Sequence, residues 1–252
     1  MAVDVFRSND ATAEKNMIKL HVFGPGFGLP DPSPFAIKGH MLLKLAGLAY
    51  EPVRGDVRKA PKGKFPVLED DGEIVPDSTF IRLHIERKYG FDYDAGLTRE
   101  QSSIAWATEK MLEDHLYWSV VHDRWLMQDN FVRGPAHFFD AAPALLRPLI
   151  RRRVQQIVRR NMHGHGMGRH SPEEMAVLTR HSVAALAGIL GDKPYLMGDR
   201  PCGADATAFG FINAAQCKLF VSAARDAVEQ QPNLVAYNAR MLERYFPGTA
   251  AN

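Results

Sequence analysis

A proline at position 66, inside the short apolar run Phe65-Pro66-Val67-Leu68, limits what this chain can fold into more than any other residue. Proline has no N–H to give to a sheet ladder, so a run that otherwise reads as a strand must hold a special local geometry there. Asp70-Asp71-Gly72 then supplies turn residues and Glu73-Ile74-Val75 a second extended run, which together read as a hairpin closed by Pro76. Asp77-Ser78-Thr79 are three residues that can place side-chain oxygens at a helix start, and Phe80, Ile81 and Leu83 to Ile85 continue at helical spacing. A proline-interrupted hairpin thus leads into a helix with a polar N-terminus.

The residues before the hairpin extend the pattern. Residues 1–16 mix charged and small polar groups and read as a loose tail. Ile18 to Phe23 alternates and ends at Gly24-Pro25-Gly26-Phe27-Gly28, a strand running into a glycine-rich turn. Ser33-Pro34 is a serine cap with proline at the first helical position, and the helix it opens carries an apolar face to Leu45 and stops at Gly47. Ala49 to Val53 reads as a second strand, followed by a basic loop from Arg54 to Lys64. The first ninety residues therefore run strand, helix, strand, loop, strand, strand, helix.

Beyond Gly90 the chain reads as helical. Thr98 to Trp125 is one long pattern in which Ile104, Ala107, Met111, His115, Trp118, His122 and Trp125 share a face that begins aliphatic and turns aromatic. Arg124 lies on another face, from which it could reach a ligand at the end of this helix, but a surface ion pair is the expectation. Asn130 to Pro143, with three phenylalanines, reads as a segment covering a cleft or packing between helices. Arg147 to Arg160 sets six arginines among Leu149, Ile150, Val154, Ile157 and Val158, and this spacing favours a solvated helix face over a nucleic-acid or membrane site. The histidines of Met162 to His170 are separated by glycines with no carboxylate or thiol between them, so a loop and no metal site are expected. Ser171-Pro172-Glu173-Glu174 is a capping box. Cys202 stands at the cap of a further helix that contains Asp205, where a thiol is a weak acceptor. Pro232 to Phe246 gives a last amphipathic helix, and 247–252 a short tail.

With 252 residues, 46% hydrophobic and 24% charged, the chain has room for one large domain or two smaller ones. A net charge of +2 supplies no global field for nucleic acid or an anionic membrane. Two cysteines, Cys202 and Cys217, are too few for a disulfide framework, and no apolar run reaches about 18 residues. A cytoplasmic setting is the expectation.

From end to end, the order of elements resembles that of glutathione transferases, and Gly47-Leu48-Ala49-Tyr50-Glu51 looks like that family's junction from first helix to second strand. The runs SPFAIK from Ser33, GKFPVL from Gly63, PDSTFI from Pro76 and GMGRHSPEE from Gly166 are similar to its failed axon connections and metaxin-like subgroup. The resemblance implies a thioredoxin-like α/β domain over 17–92 and an all-α domain over 98–248. It also implies a cis bond at Phe65-Pro66 and a glutathione seat made of Lys64, Phe65, Pro66, Val67, Asp77 and Ser78. In that seat the Val67 backbone would pair with the cysteinyl unit, Asp77 and Ser78 would hold the γ-glutamyl end, and Lys64 is a partner for the glycyl carboxylate. Ser33 takes the place of the catalytic residue in the Ser/Cys types, since the first strand ends His21-Val22-Phe23 without a tyrosine. Phe35, Trp118, His122 and Trp125 would line the pocket for a small hydrophobic electrophile. The implied activity is glutathione transfer in detoxification by a homodimer, with glutathione as co-substrate. A non-catalytic metaxin-like adaptor is the alternative. Thiol exchange is disfavoured, because no cysteine precedes residue 202.

Overall fold

The structure, a computed structural model, describes residues 17–248. The tail read over 1–16 and most of the one read over 247–252 lie outside the described residues. Strand β1, Ile18–Val22, buries Ile18, Leu20 and Val22 and leaves Lys19 and His21 half covered, the two-residue period of a strand with one face in the core. It pairs in parallel with β2, Tyr50–Arg54, through the crossover helix α1, Pro34–Leu45. On its other side β1 pairs antiparallel with β3, Val67–Asp70, which forms the hairpin with β4, Glu73–Pro76, giving the order β2-β1-β3-β4. Helix α2, Ser78–Tyr89, follows directly, and left-handed Gly90 (φ 65°) ends it.

The all-helical part begins with α3, Arg99–Lys110, opened by a reciprocal Thr98/Gln101 capping box. It continues through a π-helical segment, Met111–Leu116, into α4, Tyr117–Trp125. The face chosen by spacing is not the buried one: Ile104 is 38% exposed, whereas Leu112, Leu116, Val120 and Arg124 form the inward stripe. Strict four-residue steps drift around a regular helix, and the wider turn of the π segment keeps them in line. The inward face here is also charged, because Glu109 of α3 and Glu113 of the π segment meet Lys38 of α1 at 2.7 and 2.6 Å. Arg82 of α2 reaches the other Glu109 oxygen at 2.7 Å and Asp94 at 2.7 Å, and Thr207 donates to Glu109 at 3.0 Å. Burial pushes Glu109 up, but Lys38 and Arg82 outweigh it and hold the carboxyl below its usual range.

Two short helices absent from the sequence reading follow: α5, Gln128–Arg133, and later α9, Ala223–Glu229. Helix α6, Arg147–His165, runs through His163 and His165, so those histidines end a helix and the loop is shorter than expected. Helix α7, Pro172–Leu190, starts on the Ser171/Glu174 capping box, with both hydrogen bonds formed. Every residue of α8, Gly203–Ala215, is buried. The start of α8 is held by the fully buried Asp205, which accepts from the Cys202 amide (2.9 Å), the Leu196 amide (3.0 Å) and the hydroxyl of Tyr237 (2.8 Å) on α10, Pro232–Tyr245. Asp205 thereby supplies the half of a capping box that bonds the Cys202 amide, while the Cys202 thiol stands where a serine oxygen would accept from the Asp205 amide. One apolar cluster spans both parts, from Leu20, Ile37 and Ile81 to Leu112, Leu186 and Phe209.

Candidate functional site

The turn after β1 is pinned by Asp31. Its two carboxylate oxygens accept from the Gly24 amide (2.9 Å) and the Ser33 amide (2.8 Å), which sets the entry to α1. Burial pushes the Asp31 carboxyl up from 3.8 to about 7, against the pull of the Ser33, Gly24 and Phe23 amides and of Arg54. A folded-state value above the unfolded one stabilises fully below about 3.8, and that contribution is lost as pH rises toward 7. Asp31→Asn is therefore expected to flatten the fall of stability with pH across that window. It should also cost about 1–3 kcal/mol at pH 5, because an amide nitrogen would face one of the two donors. Urea melts of both proteins at pH 4 to 8 check this, and an unchanged slope refutes it.

Ser33 caps α1, as its spacing predicts: its Oγ accepts from the Ala36 amide at 3.3 Å. That bond uses the oxygen and leaves the hydroxyl hydrogen to donate outward, and the half-buried side chain stands at the positive end of α1. From α4, Arg124 donates to the carbonyl of Pro32 at 2.6 Å and to that of Ala214 at 2.7 Å. Arg124 is only 6% exposed, so it ties the Ser33 turn to α8 and is not the surface ion-pair partner expected.

Phe65-Pro66 is cis. The Asp77 amide donates to the carbonyl of Pro66 at 3.1 Å, making Val67 and Pro76 a non-hydrogen-bonded pair and turning the N–H and C=O of Val67 toward His21 in β1. The Val67 backbone is therefore spent inside the sheet, which corrects the role implied for it. The backbone groups of Phe65, two residues earlier, have no partner among the described residues. Its ring packs edge-on against Phe23 (5.2 Å) and over Gly55, where a Cβ would come within 2.4 Å of it.

At the start of α2, Asp77 is held at φ 88°, a costly conformation for a residue with a side chain. Its Oδ1 accepts from the Thr79 amide at 3.0 Å, and its Oδ2 pairs with Lys64 at 2.8 Å. Burial raises the Asp77 carboxyl, but Lys64 and the Thr79 amide more than offset it and keep the group below its usual range. Ser78 is 2% exposed, yet neither its hydroxyl nor the amides of Ser78 and Phe80 have partners among the described residues. Free amides at a helix N-terminus beside a free hydroxyl form an anion seat, here with a carboxylate and an ammonium at its edge.

The wall over Ser33 differs from the one chosen by spacing. Phe35 packs on Tyr117 at 5.0 Å and on Phe211 at 5.3 Å, so Tyr117 and Arg124 are the α4 residues that reach the Pro32 to Phe35 segment. Trp118 instead stacks on His165 of α6 at 4.6 Å, and His122 pairs with Asp123 at 3.0 Å. Trp125 contacts Phe138 at 6.1 Å, and Phe138 lies 5.3 Å from Phe27 in the glycine-rich turn, so Trp125 is one ring removed from that turn. The π segment rotates α4, and no periodicity in the sequence could have singled out Tyr117.

Comparison with known proteins agrees with this geometry. The model for the glutathione S-transferase N-terminal domain matches residues 34–130, and that for the glutathione S-transferase C-terminal domain matches 179–241. The chain is 32% identical to Failed axon connections of Drosophila melanogaster over 96% of its own length and 61% of that protein's. It is 31% identical to an isoprene-epoxide glutathione S-transferase of Rhodococcus sp. strain AD45, over 91% of this chain and 99% of that one. Metaxin-1 of Macaca fascicularis is 27% identical over 93% of this chain and 77% of its own. A glutathione S-transferase of Ceriporiopsis subvermispora, solved in complex with glutathione, shares the fold at a TM-score of 0.60 and 18% identity, covering 92% of this chain and 98% of the other. By two domain models, a near full-length relative and a shared fold, the chain belongs to the glutathione transferase superfamily, in its failed axon connections and metaxin-like subgroup.

Proposed function

We propose that the protein binds glutathione and activates its thiol for addition to a small hydrophobic electrophile. The observation that carries this is Ser33: its oxygen is occupied by the Ala36 amide, so its hydrogen is free to be donated to a sulfur at the positive end of α1. An ordinary thiol with pKa about 8.5 is a few per cent ionised at neutral pH, and lowering it by about 2 units requires roughly 2.7 kcal/mol in favour of the anion. A hydrogen bond to a charged acceptor supplies about 1.5–3 kcal/mol and the helix end adds to it, so no general base is required.

In this reading the Phe65 backbone pairs with the cysteinyl unit, and the γ-glutamyl carboxylate takes Ser78 and the free α2 amides. Asp77 meets the ligand ammonium while Lys64 turns from Asp77 to the glycyl carboxylate, an exchange made easy by the 58% exposure of the Lys64 side chain. An epoxide suits the site as electrophile, in keeping with the named substrate of the Rhodococcus relative. The thiolate forms an S–C bond, the C–O bond opens, and the alkoxide takes its proton from solvent. Phe35 and Tyr117 supply the apolar wall. A second copy of the chain is the partner proposed for the exposed apolar residues Ile74, Phe80, Leu83, Ile104 and Trp106, and a reducing cytoplasm suits two free, buried cysteines.

Ser33→Ala tests the reading against a non-catalytic adaptor. The expected result is conjugation of a small epoxide lowered at least tenfold at pH 7 with most glutathione affinity retained, beside about 1 kcal/mol lost with the cap. A variant that melts slightly lower yet turns over like the parent makes Ser33 a cap only.

A further inference from the structure

The outward face of α6 differs from that of an ordinary solvated helix. Ile150, Val154, Val158 and Met162 form its packed stripe at four-residue spacing. Opposite them stand Leu149, Arg152, Arg153, Gln156, Arg160 and His163, all exposed. Leu149 is 67% exposed, and immediately before the helix Leu145 is 95% and Leu146 49% exposed, so the face begins in an uncovered leucine tip. Of the apolar residues that spaced this helix, Ile150, Val154 and Val158 are half buried, while Leu149 and Ile157 are exposed.

Charge is just as unevenly placed. Residues 141–172 hold seven arginines and no carboxylate, while the whole chain is only +2, so the rest of the chain has five more acids than bases. Arg151 is paired with Asp140 at 2.9 Å, but Arg152, Arg153, Arg159 and Arg160 have no ion pair among the described residues.

We propose that this face is a peripheral docking surface for a membrane leaflet carrying anionic phospholipid. Leucines at one end followed by unpaired arginines match an interface that presents acyl chains just beneath phosphates. A nucleic-acid backbone would leave the leucine tip without a counterpart. An acidic protein would match the charge, but a convex single helix offers no groove to fix its register. Two surface cavities lie elsewhere, one between Tyr195 and Arg244 and one lined by Met127, Arg180 and Gln230. Among the described residues no helix is long and apolar enough to cross a membrane, so the contact is peripheral.

Co-sedimentation of the full chain with phosphatidylcholine vesicles, with and without phosphatidylserine, tests the proposal. Binding is expected only with phosphatidylserine and should weaken with salt. Arg152→Glu with Arg153→Glu should lower it by at least about fivefold per residue changed. Leu145→Ser with Leu149→Ser should lower it while leaving the salt dependence in place. All four side chains are exposed or unpaired, so the variants should melt like the parent. If the arginine pair lowers the melting temperature, Leu145→Ser alone decides the matter. The proposal is overturned by equal binding to both vesicles, by no binding at low salt, or by a duplex DNA that binds more tightly with the same arginine dependence. Leucine variants that change only the oligomeric state on gel filtration overturn it too.

Discussion

Lys38→Met is expected to lower the unfolding free energy by about 3–5 kcal/mol, the usual cost of removing one partner from a buried ion pair. Lys38 is fully buried and touches both Glu109 and Glu113, so its loss strands carboxylates where water cannot reach. Arg82 and Thr207 still hold Glu109, and Lys110 still holds Glu113, which keeps the variant folded at low temperature. The parent's Glu109 is held below its ordinary value of 4.5, so its contribution is present above that pH and is lost as pH falls. The gap between Lys38→Met and the parent should therefore narrow in acid. Adding Glu113→Gln to Lys38→Met should recover part of the loss, a coupling that a packing defect alone would not show. Urea denaturation of the three proteins at pH 4 and 7 measures it, and a loss below about 1 kcal/mol at pH 7 would mean that the network contributes little.

Gly210→Ala should be nearly as damaging for a different reason. A Cβ at Gly210 would stand 2.5 Å from the carbonyl oxygen of Pro34, so the added methyl meets backbone that no side-chain rotation can relieve. Separating α8 from α1 costs about 1–3 kcal/mol or more and displaces the turn that carries Ser33. Gly188→Ala is the control: Gly188 lies exposed in α7 with nothing within 4 Å of a new Cβ. The same substitution there should stabilise by about 0.5–1 kcal/mol, since it only removes helix-opposing freedom. Thermal melts showing both changes near neutral would mean that α1 and α8 are not locked together at Gly210.

Local chemistry made much of this legible. The turn residues at 70–72, the proline at 66, the Ser33-Pro34 helix start and the Ser171 capping box each act over a few residues, and the strands and helices they punctuate appear within one or two positions of the spacing. Features that depend on tertiary contact were hidden. Arg124 reads as an exposed ion-pair partner, and nothing in the local pattern marks Lys38, Glu109, Glu113 and Arg82 as one buried network. The π segment moved Tyr117 onto the Ser33 turn and carried Trp118 toward α6, a rotation that no three-and-four count anticipates. The hydrogen-bond phase of the hairpin decides whether Val67 or Phe65 keeps free backbone groups, and side-chain alternation cannot reveal it.

The central claim, that Ser33 and the α1 terminus turn bound glutathione into a thiolate, is tested most directly by titrating the thiolate absorbance of the glutathione complex in the parent and in Ser33→Ala. The parent complex should titrate about 2 units below the free thiol's value of about 8.5, with the midpoint of Ser33→Ala moving back toward it. A parent complex that titrates like free glutathione, or a protein that does not bind glutathione at all, would contradict the claim.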